Sequence, residues 1–298
     1  MSSRDSERLR ELLSEEVGAF DGTAGIAIES IPAGVRTGIN EERVFPMASV
    51  FKIPILVEFL AMVEGGSASL DDRIELRAEH RTAGSGILAR MDPGLNPTWK
   101  DLLTLMINIS DNSATDLVLD RVGISAIQRR LDALGLEDTK FNANCTDVIR
   151  IACGLPPMAP SELSDELESG VPHIDGDRLL EGQIDTSTPA DMVRLLVELE
   201  AGRILGESAT GLALDIMAIR KMSKRLAGGL PRRVRVASKT GTIGSVVNDA
   251  GIIGGIDDDC CFAICAFTKY GGDESVSERF IARIAALVYD YLREDRRG

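Results

Sequence analysis

The first twenty residues are charged on one side and apolar on the other at helical spacing, so a helix is expected over residues 5–20. Two short runs of alternating character follow at 23–31 and 35–40, joined by a turn holding Pro32, Ala33 and Gly34, and they read as strands. From Ser49 to about residue 206 the spacing turns helical again, in a series of runs several of which stop at a glycine. One more helix is expected over 208–222. Three β-rich runs at 234–240, 246–254 and 260–270 come next, separated by Gly and Asp turns, and a helix over 278–292 closes the chain. The order implies an α+β fold: an antiparallel sheet of about five strands built from both chain ends, flanked by helices, with a mostly helical subdomain inserted. On this reading residues 1–298 are one domain, 1–48 plus 207–298 supplying the sheet part and 49–206 the helical part, with the site in the cleft between them.

Composition narrows the function classes. A chain of 298 residues with 44 % hydrophobic and 27 % charged residues has enough apolar mass for a large core. Its net charge of -14, with no long Lys/Arg run, argues against nucleic acid and anionic membrane as partners. The opening segment lacks the basic start, apolar centre and small-residue cleavage site of a signal peptide. The expected location is therefore the cytoplasm, or outside it if a leader has already been removed. Apolar stretches at 53–63 and 260–267 are interrupted or too short to span a bilayer. The 5 cysteines (Cys145, Cys153, Cys260, Cys261, Cys265) are odd in number and read as free thiols, and His80 and His173 stand in no metal-ligand spacing, so no metal is expected.

Three short segments carry the candidate chemistry. Ser49 and Lys52, three positions apart at the start of an apolar helix, fall on one helix face, where a lysine can take a serine's proton. Burial and the helix N-terminus both disfavour the lysine's charge, which makes it a better base. Ser110-Asp111-Asn112 lies in a short connection between two helical runs and can present Ser110 and Asn112 to a cleft. Lys239-Thr240-Gly241-Thr242 ends a strand. Taken singly, each also reads as plain structure: a helix cap with a solvated lysine, a second helix cap, and a strand running into a turn.

Taken together, in this order and about 60 and then about 130 residues apart, they match the set shared by class A β-lactamases and penicillin-binding proteins. The chain resembles the class A β-lactamase group over nearly its whole length, also through Gly84-Ser85-Gly86-Ile87-Leu88, Leu105-Met106-Ile107 and Asp185-Thr186-Ser187-Thr188-Pro189. The resemblance implies a β-lactamase/transpeptidase-like fold and no cofactor. It gives Ser49 the attack on the carbonyl, Lys52 the acceptance of its proton, and Ser110 the relay to the leaving nitrogen. Asn112 would bond the substrate amide, and Lys239, Thr240 and Thr242 its carboxylate, with Gly241 in the same binding segment. The backbone N–H groups of Ser49 and Thr242 would form the oxyanion hole. The implied partner is a small molecule with an amide or lactam carbonyl and a carboxylate; the oligomeric state stays open.

The sequence departs from that pattern where deacylation is concerned. It has no Glu-x-x-Leu-Asn segment, and alignment from Leu134-Gly135 onward puts Cys145, or a neighbour such as Asp147, where the glutamate belongs. A poorly patterned stretch, roughly 142–188 with Pro156, Pro157 and Pro160, is about two dozen residues longer than expected, and among its acidic and basic groups Asp147 and Glu166 are candidate replacement bases. Three functions remain open on this reading: hydrolysis of β-lactams through an acyl-enzyme, fast or slow in its second half; the same chemistry on a peptide, amide or ester; and binding without turnover.

Overall fold

The computed structural model describes residues 3–31, 33–170, 172–219, 223–254 and 260–295. The first half holds α1 (Ser3–Gly18), β1 (Thr23–Ser30), β2 (Val35–Ile39), β3 (Phe45–Pro46), α2 (Lys52–Glu64), α3 (Trp99–Asn108), α4 (Asn112–Val122), α5 (Ile124–Ala133) and α6 (Cys145–Ala152). The second holds α7 (Pro160–Ser169), α8 (Asp177–Glu181), β4 (Thr186–Ser187), α9 (Pro189–Glu200), α10 (Glu207–Ala218), β5 (Val236–Ile243), β6 (Val246–Ile253), β7 (Phe262–Lys269) and α11 (Glu274–Asp295). Pro32 of the expected first turn, the expected helix end at Met222 and the turn at 255–259 lie outside the described residues.

Five strands pair in the order β2-β1-β7-β6-β5, every pair antiparallel. Both chain ends therefore contribute to one sheet, as the order of the apolar runs implied. The period of two along each strand sorts side chains between two cores. On β1 and β7, Ile26, Ile28, Phe262, Ile264 and Ala266 face a core shared with α1 and α11. Their neighbours Ala27, Ala263, Cys265 and Phe267 face the other way, into a core that continues through α2, α3 and α9. β6 is buried along all 8 of its residues, as a strand covered on both faces must be.

Helix α2 runs through the larger core, with Ile53, Ile55, Leu56, Val57 and Phe59 fully buried, so the segment carrying Lys52 cannot drift. Polar caps fix the ends that meet the cleft. Asp111 Oδ1 accepts from Ala114 N (3.0 Å) at the start of α4, Asn144 Oδ1 from Asp147 N (2.8 Å) at the start of α6, and Thr188 Oγ1 from Asp191 N (3.1 Å) at the start of α9.

The 142–188 stretch is more ordered than its composition suggests. It forms α6, α7, α8 and β4, and Pro160 opens α7 at the first turn instead of breaking a helix. Its far end lies on the β5–β6 hairpin: a Cβ at Gly244 would come 2.4 Å from Ile174 O, and Asp177 pairs with Lys269 of β7. No helix among the described residues is long and apolar enough to cross a membrane.

Candidate active site

Ser49 sits in a one-turn 3-10 segment, Ala48–Phe51, that leads directly into α2. Ala48 takes φ 47°, a conformation an L-residue adopts at a cost, and Ser49 is left partly exposed at the cleft while Lys52 is wholly buried. Strand β5 passes directly against this turn. A Cβ at Gly241 would lie 2.8 Å from Met47 O and 2.9 Å from Ser49 N, so only glycine allows the strand that close. Ser49 and Thr242 both line the cavity beside this contact. The strand expected to end at the Lys239 segment continues to Ile243, with Gly241 inside it and paired with Asn248.

Lys52 Nζ donates to Ser110 O (2.7 Å), Ser110 Oγ (3.0 Å) and Asn112 Oδ1 (2.8 Å). The three N–H bonds of an ammonium are thereby matched by three acceptors. Ser110 can offer both its carbonyl and its hydroxyl because it has φ 58°. Asn112, first residue of α4, is held by its other end, Nδ2 donating to Ala83 O (2.8 Å), and its N–H bonds Ser85 O (2.9 Å). Asp111 joins the same two segments, its Oδ2 accepting from Ile87 N (2.7 Å) and Leu88 N (2.9 Å). Thus the 82–88 segment and the Ser110-Asp111-Asn112 corner form one hydrogen-bonded frame around the lysine.

Burial lowers the Lys52 pKa below the ordinary amine value, while the nearby Asp116 and Asp111 carboxylates pull it back up. Cys145 is also close, but burial and Asp116 hold its thiol well above the ordinary thiol range, so it is neutral and supplies neither charge nor nucleophile. Asp116 connects the two: its Oδ1 accepts from Cys145 N (2.9 Å) and its Oδ2 from Thr82 Oγ1 (3.0 Å). The start of α6 is thereby tied to α4, and Cys145 lines the cavity beside Ser49.

Lys239 is buried on the β5 face that also carries Gly241, and its Nζ donates to Thr240 O (2.7 Å). Thr242 is exposed, and a residue the sequence reading passed over holds it. Arg225, 5 % exposed, donates from Nη1 to Gly241 O (2.9 Å) and Asn248 O (2.8 Å), and from Nη2 to Thr242 Oγ1 (2.5 Å) and Glu274 Oε1 (2.6 Å). Its partners come from β5, β6 and α11, so no local signal in the sequence marks it.

The two candidate loop bases need correction. Asp147 is ion-paired with Arg150 (2.6 Å) on α6, and Glu166 is exposed on α7; neither lines the cavity. No carboxylate is among the described residues lining it. Ser49, Asn112 and Thr242 do meet there, with Lys52 and Ser110 joined behind Asn112. A serine beside a buried lysine, with a hydroxyl bridging that lysine, can be deprotonated for attack on a carbonyl.

The chain is similar to known proteins along nearly its whole length. The family model described as "Beta-lactamase enzyme family" matches residues 6–292. Beta-lactamase VEB-1 of Pseudomonas aeruginosa is 24 % identical, covering 97 % of this chain and 92 % of its own. Among solved structures, a β-lactamase from Sphaerobacter thermophilus superposes with a TM-score of 0.78 at 26 % identity, covering 99 % of each chain. PBP-A superposes with a TM-score of 0.77 at 25 % identity, covering 98 % of this chain and 97 % of its own.

Proposed function

Because the chain belongs to the β-lactamase enzyme family of serine hydrolases, we propose that it opens the lactam amide of β-lactams through an acyl-enzyme on Ser49, and that hydrolysis of that ester is the slow half of its cycle. The observation that carries the first half is Lys52, wholly buried one turn from Ser49 and bonded to Ser110 Oγ and Asn112 Oδ1. In its neutral form Lys52 takes the Ser49 hydroxyl proton as Oγ attacks the carbonyl carbon. The resulting oxyanion is met by the Ser49 and Thr242 N–H groups. As the C–N bond breaks, the lysine's proton passes through Ser110 Oγ to the leaving nitrogen, which returns Lys52 to the amine. Asn112 holds the substrate amide. Lys239, Thr240 and Thr242 hold the substrate carboxylate, with Arg225 bracing Thr242 from behind.

For the second half, no carboxylate lines the cavity among the described residues, and the neutral thiol of Cys145 stands in its wall. Lys52 is then the group left to activate the water, and the ester should persist. A mutant of PBP-A has been solved as an acyl-enzyme complex with penicillin G, which supports reading this relative's chemistry onto Ser49.

The test is intact-protein mass spectrometry after mixing with penicillin G, alongside hydrolysis of a chromogenic cephalosporin, with Ser49→Ala as control. The proposal expects a Ser49-dependent adduct that outlasts the first turnover and a burst followed by slow hydrolysis. No adduct on folded protein would refute it.

A further inference from the structure

The cavity beside Ser49, about 340 Å³, has no charged side chain among the described residues lining it. That volume is at the lower end of small-molecule pockets. One wall is apolar, made by Val148 and Ile149 of α6, Leu167 of α7, Ile174 and Ile243. Four of these five side chains come from the 142–188 stretch. The wall is fixed in place at several points. Cys145 N is held by Asp116, Asp175 N donates to Ala152 O (2.9 Å), Arg178 Nη1 donates to the same carbonyl (2.8 Å), and Ile174 lies against Gly244 of the β5–β6 turn. A Cβ at Gly84 would lie 3.1 Å from Ile149 Cδ1 and 2.7 Å from Asn112 Nδ2, so α6 and the 82–88 segment pack together beside Asn112.

We propose that this wall is an acyl pocket selecting substrates whose carbonyl carries a bulky, uncharged apolar group, aromatic or branched aliphatic, and that Leu167 and Ile174 are specificity-determining residues. The proposal rests on acylation at Ser49 and adds the substrate's side-chain class. An ionised acyl substituent entering here would lose its water with no counter-charge among the described lining residues, whereas a phenyl or branched alkyl group would leave water for apolar contact. The chemistry at the carbonyl is the same for all such substrates, so the discrimination should appear in the acylation rate constant over affinity.

The experiment compares three penicillins that share one nucleus. Penicillin G carries a phenylacetyl group, carbenicillin the same ring with a carboxylate on the adjoining carbon, and 6-aminopenicillanic acid no acyl group. Second-order acylation of Ser49 is followed by rapid-quench mass spectrometry. The expected order is penicillin G first, by about 10-fold or more over each of the others. Leu167→Ser should lower the penicillin G rate several-fold and leave 6-aminopenicillanic acid unchanged. Leu167→Lys should raise carbenicillin relative to penicillin G, a gain that misfolding could not produce. Equal rates for the three compounds, or variants that shift none of the ratios, would overturn the pocket. If no penicillin acylates Ser49, the proposed β-lactam function fails separately. The pocket is then judged with p-nitrophenyl acetate, phenylacetate and succinate on the same variants: it stands if phenylacetate is preferred and loses that preference in Leu167→Ser, and falls otherwise.

Discussion

Asp185 should make the stability of this protein depend on pH through the range around neutrality, and replacing it by asparagine should remove that dependence. Its Oδ1 accepts from Asn142 N (2.9 Å) and Ala143 N (3.2 Å), and its own carbonyl accepts from Met47 N (2.9 Å), two residues before Ser49. It therefore clamps the start of the cleft wall to the nucleophile turn. Yet the side chain is 2 % exposed, and its Oδ2 meets no donor among the described residues. Burial pushes its pKa up from 3.8 to about 7, against the two backbone N–H groups and with the help of the Asp147 and Asp116 charges. A carboxyl whose folded pKa is raised gives stability that is complete below the unfolded value and is lost as pH rises through the folded value. The window here runs from about pH 4 to about pH 7.

At about pH 5 the folded carboxyl is about 2 units below its own pKa while the unfolded one is already ionised, so it contributes about 3 kcal/mol that has disappeared by about pH 8. The side-chain amide introduced by Asp185→Asn keeps an oxygen for Asn142 N and Ala143 N but carries no titrating proton. Urea unfolding of both proteins between about pH 5 and pH 8 should therefore show the difference between them changing by about 3 kcal/mol, with Asp185→Asn gaining on the wild type as pH rises. In thermal melts that corresponds to roughly 6–12 °C. Parallel pH curves for the two proteins would refute the reasoning, because they would mean that Asp185 holds one protonation state throughout.

Three further changes test the site. Cys145→Glu places a carboxylate at the cavity wall beside Ser49, and the acyl-enzyme lifetime measured by mass spectrometry should fall about 10-fold or more with acylation retained. Asp116→Asn removes an anion that supports the Lys52 charge, so Lys52 loses its proton more readily and the acid limb of the acylation pH profile should move to lower pH. Gly241→Ala puts a methyl group 2.9 Å from Ser49 N; forcing the strand and turn apart should cost about 1–3 kcal/mol and lower the acylation rate at least several-fold, read by stopped-flow mixing with penicillin G.

The sheet and the central helix were legible because burial there is two-sided or periodic. Ile26 and Ile28 alternate with Ala27 between two cores, and α2 is apolar nearly all round. That Ser49, Lys52, Ser110 and Asn112 would come together could be expected because each lies at or near a helix start, where position along the chain fixes position in space. The 142–188 helices escaped notice because prolines and acidic residues dominate their sequence. Pro160 proves to be the first residue of α7, and Leu163 and Leu179 are the few apolar anchors such short elements need. Gly241 was read as the end of a strand, whereas its missing side chain serves a sideways contact with Met47 and Ser49 that nothing in the neighbouring sequence announces. Arg225 is invisible for the same reason, since Glu274, one of its partners, is 49 residues away.

The hydrogen bonds around Lys52 also determine which neighbour can follow its proton. Ser110 O and Asn112 Oδ1 can only accept, and Asn112 cannot turn over without losing the bond from Nδ2 to Ala83 O. When Lys52 becomes an amine its lone pair needs a donor, and of its three partners only the Ser110 hydroxyl can reverse from acceptor to donor. A proton leaving Lys52 is therefore matched to a rotation of Ser110 Oγ–H, which suits that hydroxyl to the relay proposed between the lysine and the leaving nitrogen.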